Sequence, residues 1–210
     1  MFRRICVVLA AGVLFLAAGQ VSADITNGDF SAGLTGWTTA GPVSDGGGYA
    51  LFEEDPLFGV TSLEQEITIP AQALSLSFDY GLFSTPDGTS GYPLPDRFSA
   101  YLLDAVTRNP LLSRPGLTDY FFEDRRGFGA FDSTIVTVAG GTVTLDLTSI
   151  AAGTDALVTF DLLGGDDGFA TQATVDNVSV SLIPVPGAAL LGVVGLASAG
   201  YRLRRRNRNA

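Results

Sequence analysis

Between residues 24 and 183 the chain repeatedly alternates large apolar with small or polar side chains at a period of two. Leu74, Leu76, Phe78, Tyr80 and Leu82 are interleaved with Ser75, Ser77, Asp79 and Gly81, which places the large groups on one face of an extended strand. The same pattern returns at Val143, Leu145 and Leu147, at Ala156, Val158, Phe160 and Leu162, and at Val178, Val180 and Leu182. Further strands are expected at residues 49–53, 62–69, 98–103 and 134–138. Stretches rich in Gly and Pro at 41–48, 84–96 and 109–128 read as loops, and no capped helix-period segment stands out. One face in and one face out, repeated about eight times, predicts an all-β fold of two antiparallel sheets packed face to face.

Both ends break this pattern. Arg3 and Arg4 open the chain, Ile5 to Ala18 is apolar, and Val21-Ser22-Ala23 offers a small-residue cleavage site, so residues 1–23 are expected to be a secretory signal peptide. Cys6 lies inside that apolar stretch and leaves with it, so the exported chain holds no cysteine and no disulfide. At the other end, residues 184–210 begin with Pro184-Val185-Pro186-Gly187. An apolar run from Ala188 to about Ala199 follows, and then Arg202, Arg204, Arg205, Arg206 and Arg208. The run enters a bilayer as a helix while the arginines stay on the cytoplasmic side. Counted from Val185 to Tyr201 it has 17 residues, the lower end of the roughly 17 to 25 that span a bilayer.

Charge narrows the partners. The 160 residues from Asp24 to Ile183 suit one domain. They carry all 22 carboxylates of the chain against Arg97, Arg108, Arg114, Arg125 and Arg126, a net charge of −17. Such a surface repels nucleic-acid phosphates, keeps an exported protein soluble, and accommodates divalent cations or neutral partners such as sugars. There is no histidine, and no cysteine in the exported part, so Ser-His-Asp and Cys-His machinery cannot be built and zinc loses its usual ligands. Carboxylate pairs for glycoside hydrolysis remain conceivable, but nothing singles one out, and a non-catalytic protein is expected.

Two resemblances add to this. The tripartite tail resembles the bacterial PEP-CTERM sorting signals, in the variant with a Val/Ile-Pro-Leu/Val-Pro-Ala/Gly start, with Pro184-Val185-Pro186-Gly187 standing where the best-known form has Pro-Glu-Pro. That resemblance implies export by a Gram-negative bacterium and transient anchoring in the inner membrane. It also implies handling by an exosortase or archaeosortase-like enzyme and delivery to the cell envelope, cell surface or medium; a plain membrane anchor is the other reading of the same residues. In the exported domain, Asn27-Gly28-Asp29-Phe30 followed by Gly36-Trp37 is similar to the opening of jelly-roll carbohydrate-binding modules and their galactose-binding-like relatives. Leu63-Glu64-Gln65, Leu76-Ser77-Phe78-Asp79-Tyr80 and Val175-Asp176-Asn177-Val178-Ser179-Val180 resemble later strands of the same fold, in the same order. Fold does not fix function, so sugar binding does not follow from the resemblance alone.

The resemblance also implies a structural calcium ion near Asp29, with help from Glu53 or Asp55. Asp176 shares parity with Val178 and Val180, so its carboxylate is expected to face inward, where it must be paired or bound to metal. The other reading is that Asp29 caps a turn and Asp176 accepts amide hydrogen bonds. The acidic loop Gly164-Gly165-Asp166-Asp167-Gly168 reads as a tight hairpin turn. Trp37, Tyr49, Tyr92, Tyr101, Tyr120, Phe121 and Phe122 are candidates for stacking on sugar rings. Trp37 in such folds more often anchors the N-terminal loop, while Tyr92, Tyr120, Phe121 and Phe122 are expected in loops open to a ligand. Glu123-Asp124-Arg125-Arg126 reads as a solvated loop with internal ion pairs. Two functions follow: a structural or adhesive component of the extracellular matrix, or a module that binds an extracellular polysaccharide.

Overall fold

A computed structural model describes residues 25–55, 59–84, 96–112, 119–125, 128–164 and 171–183. Residues 1–23, expected to be a signal peptide, the tail at 184–210, Tyr92 and the acidic stretch 165–168 lie outside them. Among the described residues none is helical, and no helix is long and apolar enough to cross a membrane.

Twelve strands form: β1 (Thr38–Ala40), β2 (Val43–Asp45), β3 (Ala50–Glu53), β4 (Val60–Thr68), β5 (Ala73–Ser84) and β6 (Arg97–Asp104), then β7 (Phe122–Arg125), β8 (Phe128–Phe131), β9 (Val136–Ala139), β10 (Thr142–Asp146), β11 (Asp155–Leu163) and β12 (Thr171–Leu182). They make two six-stranded antiparallel sheets, ordered β1-β4-β11-β6-β7-β8 (sheet A) and β2-β3-β12-β5-β10-β9 (sheet B). The architecture is the expected jelly-roll sandwich, with more and shorter strands than the periodicity announces. β1 and β2 are three residues each, too short to show a period, while β7 lies in the stretch expected to be a loop and β8 begins at its last residue.

The inner faces close on each other as the alternation requires. From sheet A come Leu63, Phe98, Leu102, Phe122, Val158 and Phe160, and from sheet B Phe52, Leu76, Phe78, Val143, Leu145 and Val175, all buried. Phe78 sits at the centre, edge-on to Phe160 across the sandwich with ring centroids 4.8 Å apart, and it also meets Phe98, Phe121 and Phe122. Edge-to-face rings add about 0.5–1.5 kcal/mol per pair beyond area burial, a gain that matters in a domain without disulfides. Leu74 departs from expectation: it has the parity of Leu76 but stands 42 % exposed at the start of β5.

The four sequence fragments that suggested the fold form one physical unit. Gln65 is buried with its side chain aimed inward, where its amide donates to the carbonyls of Thr26 and Gly36 and accepts from the Thr26 amide at 2.7 Å. Trp37 stacks on Phe30 at 5.4 Å and donates its indole N–H to the Asn27 carbonyl, so it anchors the N-terminal segment. Gly28 exchanges close contact with β12. Its carbonyl accepts from Val178 N at 2.9 Å, and a Cβ on Gly28 would lie 1.9 Å from the Val178 carbonyl oxygen, so only glycine fits.

Candidate functional site

Asp176 does not point into the core. On β12 three residue steps, Asp176 to Ser179, lie opposite two on β5, Asp79 to Ser77, so one residue is extra and the strand bulges. Asn177 takes up the excess at φ 53, a left-handed conformation that Asn tolerates better than most residues. The bulge flips the alternation: Ala173 and Val175 face inward before it, Val178 after it. Asp176 is left on the outer surface opposite Asp79. The Asn177 amide bridges the two carboxylates at 2.9 Å and 3.3 Å, offsetting their repulsion. The inward-facing carboxylate belongs instead to Asp124 on β7, which accepts the Tyr80 hydroxyl at 3.0 Å; burial and that carboxylate push the Tyr80 pKa up to about 12.

The carboxylates expected to hold calcium do not converge. Asp29 is exposed and caps the turn after it, accepting from the Ser31 amide and hydroxyl, which hold its pKa below the usual carboxylate value. Glu53 takes the Gln172 amide at 3.2 Å, Asp176 the Asn177 amide at 2.6 Å, and Asp55 is buried after β3. Among the described residues no three carboxylates are grouped to hold a metal ion. These four therefore do not fit the calcium cage that the fold resemblance implies.

The aromatic expectations shift as well. Tyr120 and Phe121 are not open loop residues. Both are buried, Phe121 against Phe78 with its amide bonded to the Ala100 carbonyl as the chain enters β7. They border a cleft with Leu112, Phe131 and Ile135 whose free volume is about 10 Å³, room for no more than one water. Phe122 and Trp37 are core residues too.

What the fold does assemble is a polar floor on the outer face of sheet A. Register aligns Ser62, Asp161, Ser99 and Glu123 in a row across β4, β11, β6 and β7, and Glu64, Thr159 and Tyr101 in the next row. An outward sheet face is ordinarily wet, yet Ser99, Thr159 and Glu123 are at most 3 % exposed. Thr159 Oγ1 has no hydrogen-bond partner. Arg108, in the turn after β6, pairs with Glu64 on β4, so its side chain passes over β11, which lies between them. Asp104 holds that turn by accepting from the amides of Val106 and Thr107.

Electrostatics on this face are tightly coupled. Glu123 is fully buried and meets two guanidinium groups, Arg125 through Nε and Arg97 through Nη1 at 3.4 Å. Asp161 accepts the Ser62 hydroxyl at 2.6 Å; burial pushes its pKa up and nearby Glu64 adds to the rise, against the pull of Arg108 and Arg97. Tyr101 lies between, its ring edge-on to Tyr120 at 6.4 Å and its pKa raised by burial and by Asp161. Sequence reading missed Glu123, because a run of four charges disguised β7 as a solvated loop. The signal was present in the flanking apolar residues, Phe121-Phe122 before the run and Phe128 after it, which pairs with Arg125.

No protein-family model matches the chain, and no curated protein sequence matches it. Solved structures similar to it include TmCBM61 in complex with β-1,4-galactotriose, at 13 % identity over 77 % of this chain and 99 % of that one, TM-score 0.44. CBM28, a carbohydrate-binding module specific for non-crystalline cellulose, is 16 % identical over 75 % of this chain and 93 % of its own, TM-score 0.42. The K3 cleaved adhesin domain of Lys-gingipain from Porphyromonas gingivalis W83 is 16 % identical over 76 % and 99 %, TM-score 0.41. At these identities the likeness concerns the two-sheet fold, and function has to be read from the residues of the face itself.

Proposed function

We propose that the sandwich is a non-catalytic glycan-binding module of an exported protein, and that its binding surface is the outer face of sheet A. The observation that carries this is the placement of the half-buried Tyr101 ring among fixed polar groups, with Asp161 close by and the Arg108–Glu64 ion pair on the same face. A sugar ring offers what that surface can use: an apolar C–H face for an aromatic ring, and hydroxyls that both donate and accept. Residues 1–23 export the chain. Residues 184–210 hold it in the inner membrane until an exosortase-like enzyme processes it for the cell envelope or surface, where it binds extracellular polysaccharide as an adhesive part of the matrix. Support for this routing is the order of the segment 184–210: proline pair, apolar run and arginines.

Binding is tested by screening the full-length chain, purified in mild detergent, against a polysaccharide array and titrating the hits by calorimetry. Saturable binding that falls about tenfold in Tyr101→Ala is expected, the loss matching a stacked ring worth about 0.5–1.5 kcal/mol. A blank array, or hits indifferent to Tyr101, overturns the assignment. Routing is tested by mass spectrometry of the native protein: removal of residues 1–23 and of the arginine-rich end supports it, and an intact 210-residue product in the cytoplasm refutes it.

A further inference from the structure

Resting on the glycan-binding reading of this face, we propose that Arg97 and Arg125 read the carboxylate of a uronic acid residue, so that the polysaccharide recognised is an acidic one. Five arginines serve a segment of net charge −17. The three among the described residues, Arg97, Arg108 and Arg125, all lie on the outer face of sheet A. Arg108 is committed to Glu64. Arg97 and Arg125 each stand one residue beyond the Phe98–Asp124 pair of β6 and β7, so they are side by side on neighbouring strands. Like charges so placed repel unless an anion lies between them.

Glu123 supplies half of what is needed. Buried beneath both guanidinium groups, it gives one oxygen to each, which leaves the three groups with a net charge of +1. Its Oε2 attracts Arg97 at 3.4 Å without forming a hydrogen bond. The Arg97 and Arg125 side chains remain 34 % and 45 % exposed, so the pair is held from below and open from above. Planar guanidinium forks suit a planar carboxylate. The carboxylates of this face nearest to the two arginines are engaged, Asp161 with the Ser62 hydroxyl and Glu64 with Arg108, while Glu66 and Asp155 lie toward the far ends of β4 and β11. Arg125 also interacts with Tyr120, whose ring meets Tyr101. Aromatic rings and cations side by side match a sugar that carries its charge directly on the pyranose ring.

The test is calorimetric titration of the full-length chain in detergent with three ligands of equal length: an oligogalacturonide, its methyl ester, and a neutral galacto-oligosaccharide. Expected is binding of the acid at least tenfold tighter than of the ester, with that preference abolished in Arg97→Gln/Arg125→Gln. Because that variant strands the buried Glu123, the triple variant Arg97→Gln/Glu123→Gln/Arg125→Gln is measured as well, and the ester comparison needs no variant. Equal affinity for acid and ester, or an acid preference that survives in the folded triple variant, overturns the arginine assignment while leaving glycan binding standing. Failure of all three ligands, together with a blank polysaccharide array, removes the glycan-binding reading and this inference with it.

Discussion

Both outer faces of the sandwich carry polar residues, and they satisfy them in different ways. On sheet B, Thr137, Thr144, Ser77 and Ser179 line up across β9, β10, β5 and β12. The hydroxyls of Ser77 and Ser179 bond to each other at 3.1 Å, and those of Ser75 and Ser181 at 2.6 Å. These small groups satisfy one another in pairs, and the charged residues beside them are met by side-chain amides, Asp79 and Asp176 by Asn177 and Glu53 by Gln172. On sheet A the side chains are long and charged and partly close over one another, burying Glu123 and leaving Thr159 Oγ1 unpaired. Polar content alone therefore does not distinguish a working face. What does is polar groups held at a cost the fold itself does not require.

Substitutions separate the faces. Arg97→Gln/Arg125→Gln is expected to have the largest effect, about 3–5 kcal/mol of lost stability in a urea titration, because it strands the buried Glu123 carboxylate without a counter-charge. A loss below 1 kcal/mol removes the distinction drawn here. The binding loss in Tyr101→Ala, near tenfold, comes next, with a stability loss of about 1 kcal/mol because the half-buried ring also packs edge-on to Tyr120. Asp161→Asn gives a smaller effect that is pH-dependent. The folded protein holds the Asp161 proton more tightly than the unfolded chain, so this group favours folding most below the ordinary carboxyl value of 3.8 and progressively less as pH rises through its raised value. The Asn variant should therefore gain stability relative to wild type as pH rises from the ordinary carboxyl value of 3.8 through that raised value, read as melting temperature against pH. A gain that does not vary with pH contradicts this. Smallest is Ser77→Ala/Ser179→Ala on sheet B, expected to shift stability by no more than about 1 kcal/mol and glycan affinity not at all; a binding defect there moves the site to the wrong face.

Period-two alternation made the sandwich legible wherever a strand was long enough to carry it, as in β5, β10 and β11. It failed for β1 and β2, which are held by register with longer neighbours, and for β7, whose charges pack against arginines that come from elsewhere in the chain or on the strand itself. The parity argument for Asp176 was sound for a regular strand and was undone by one left-handed Asn177, which no periodicity anticipates. Tyr101 was legible as a ring on a strand. Glu123 as its buried neighbour was not, since burial of a charge depends on partners brought by tertiary structure, here Arg97 from β6. Trp37 anchors the N-terminal loop as fold resemblance implied, and Asp29 caps its turn as the simpler reading of that residue had it.

The docking of Gly28 on Val178 ties residues 150 positions apart. During synthesis the segment emerging first must wait, unpaired, for the strand that emerges last, and the molecule cannot close until the whole sequence has arrived. A product cut short before β12 thus lacks more than one strand: its opening loop has nowhere to settle, and quality-control proteases meet an unfinished, sticky chain.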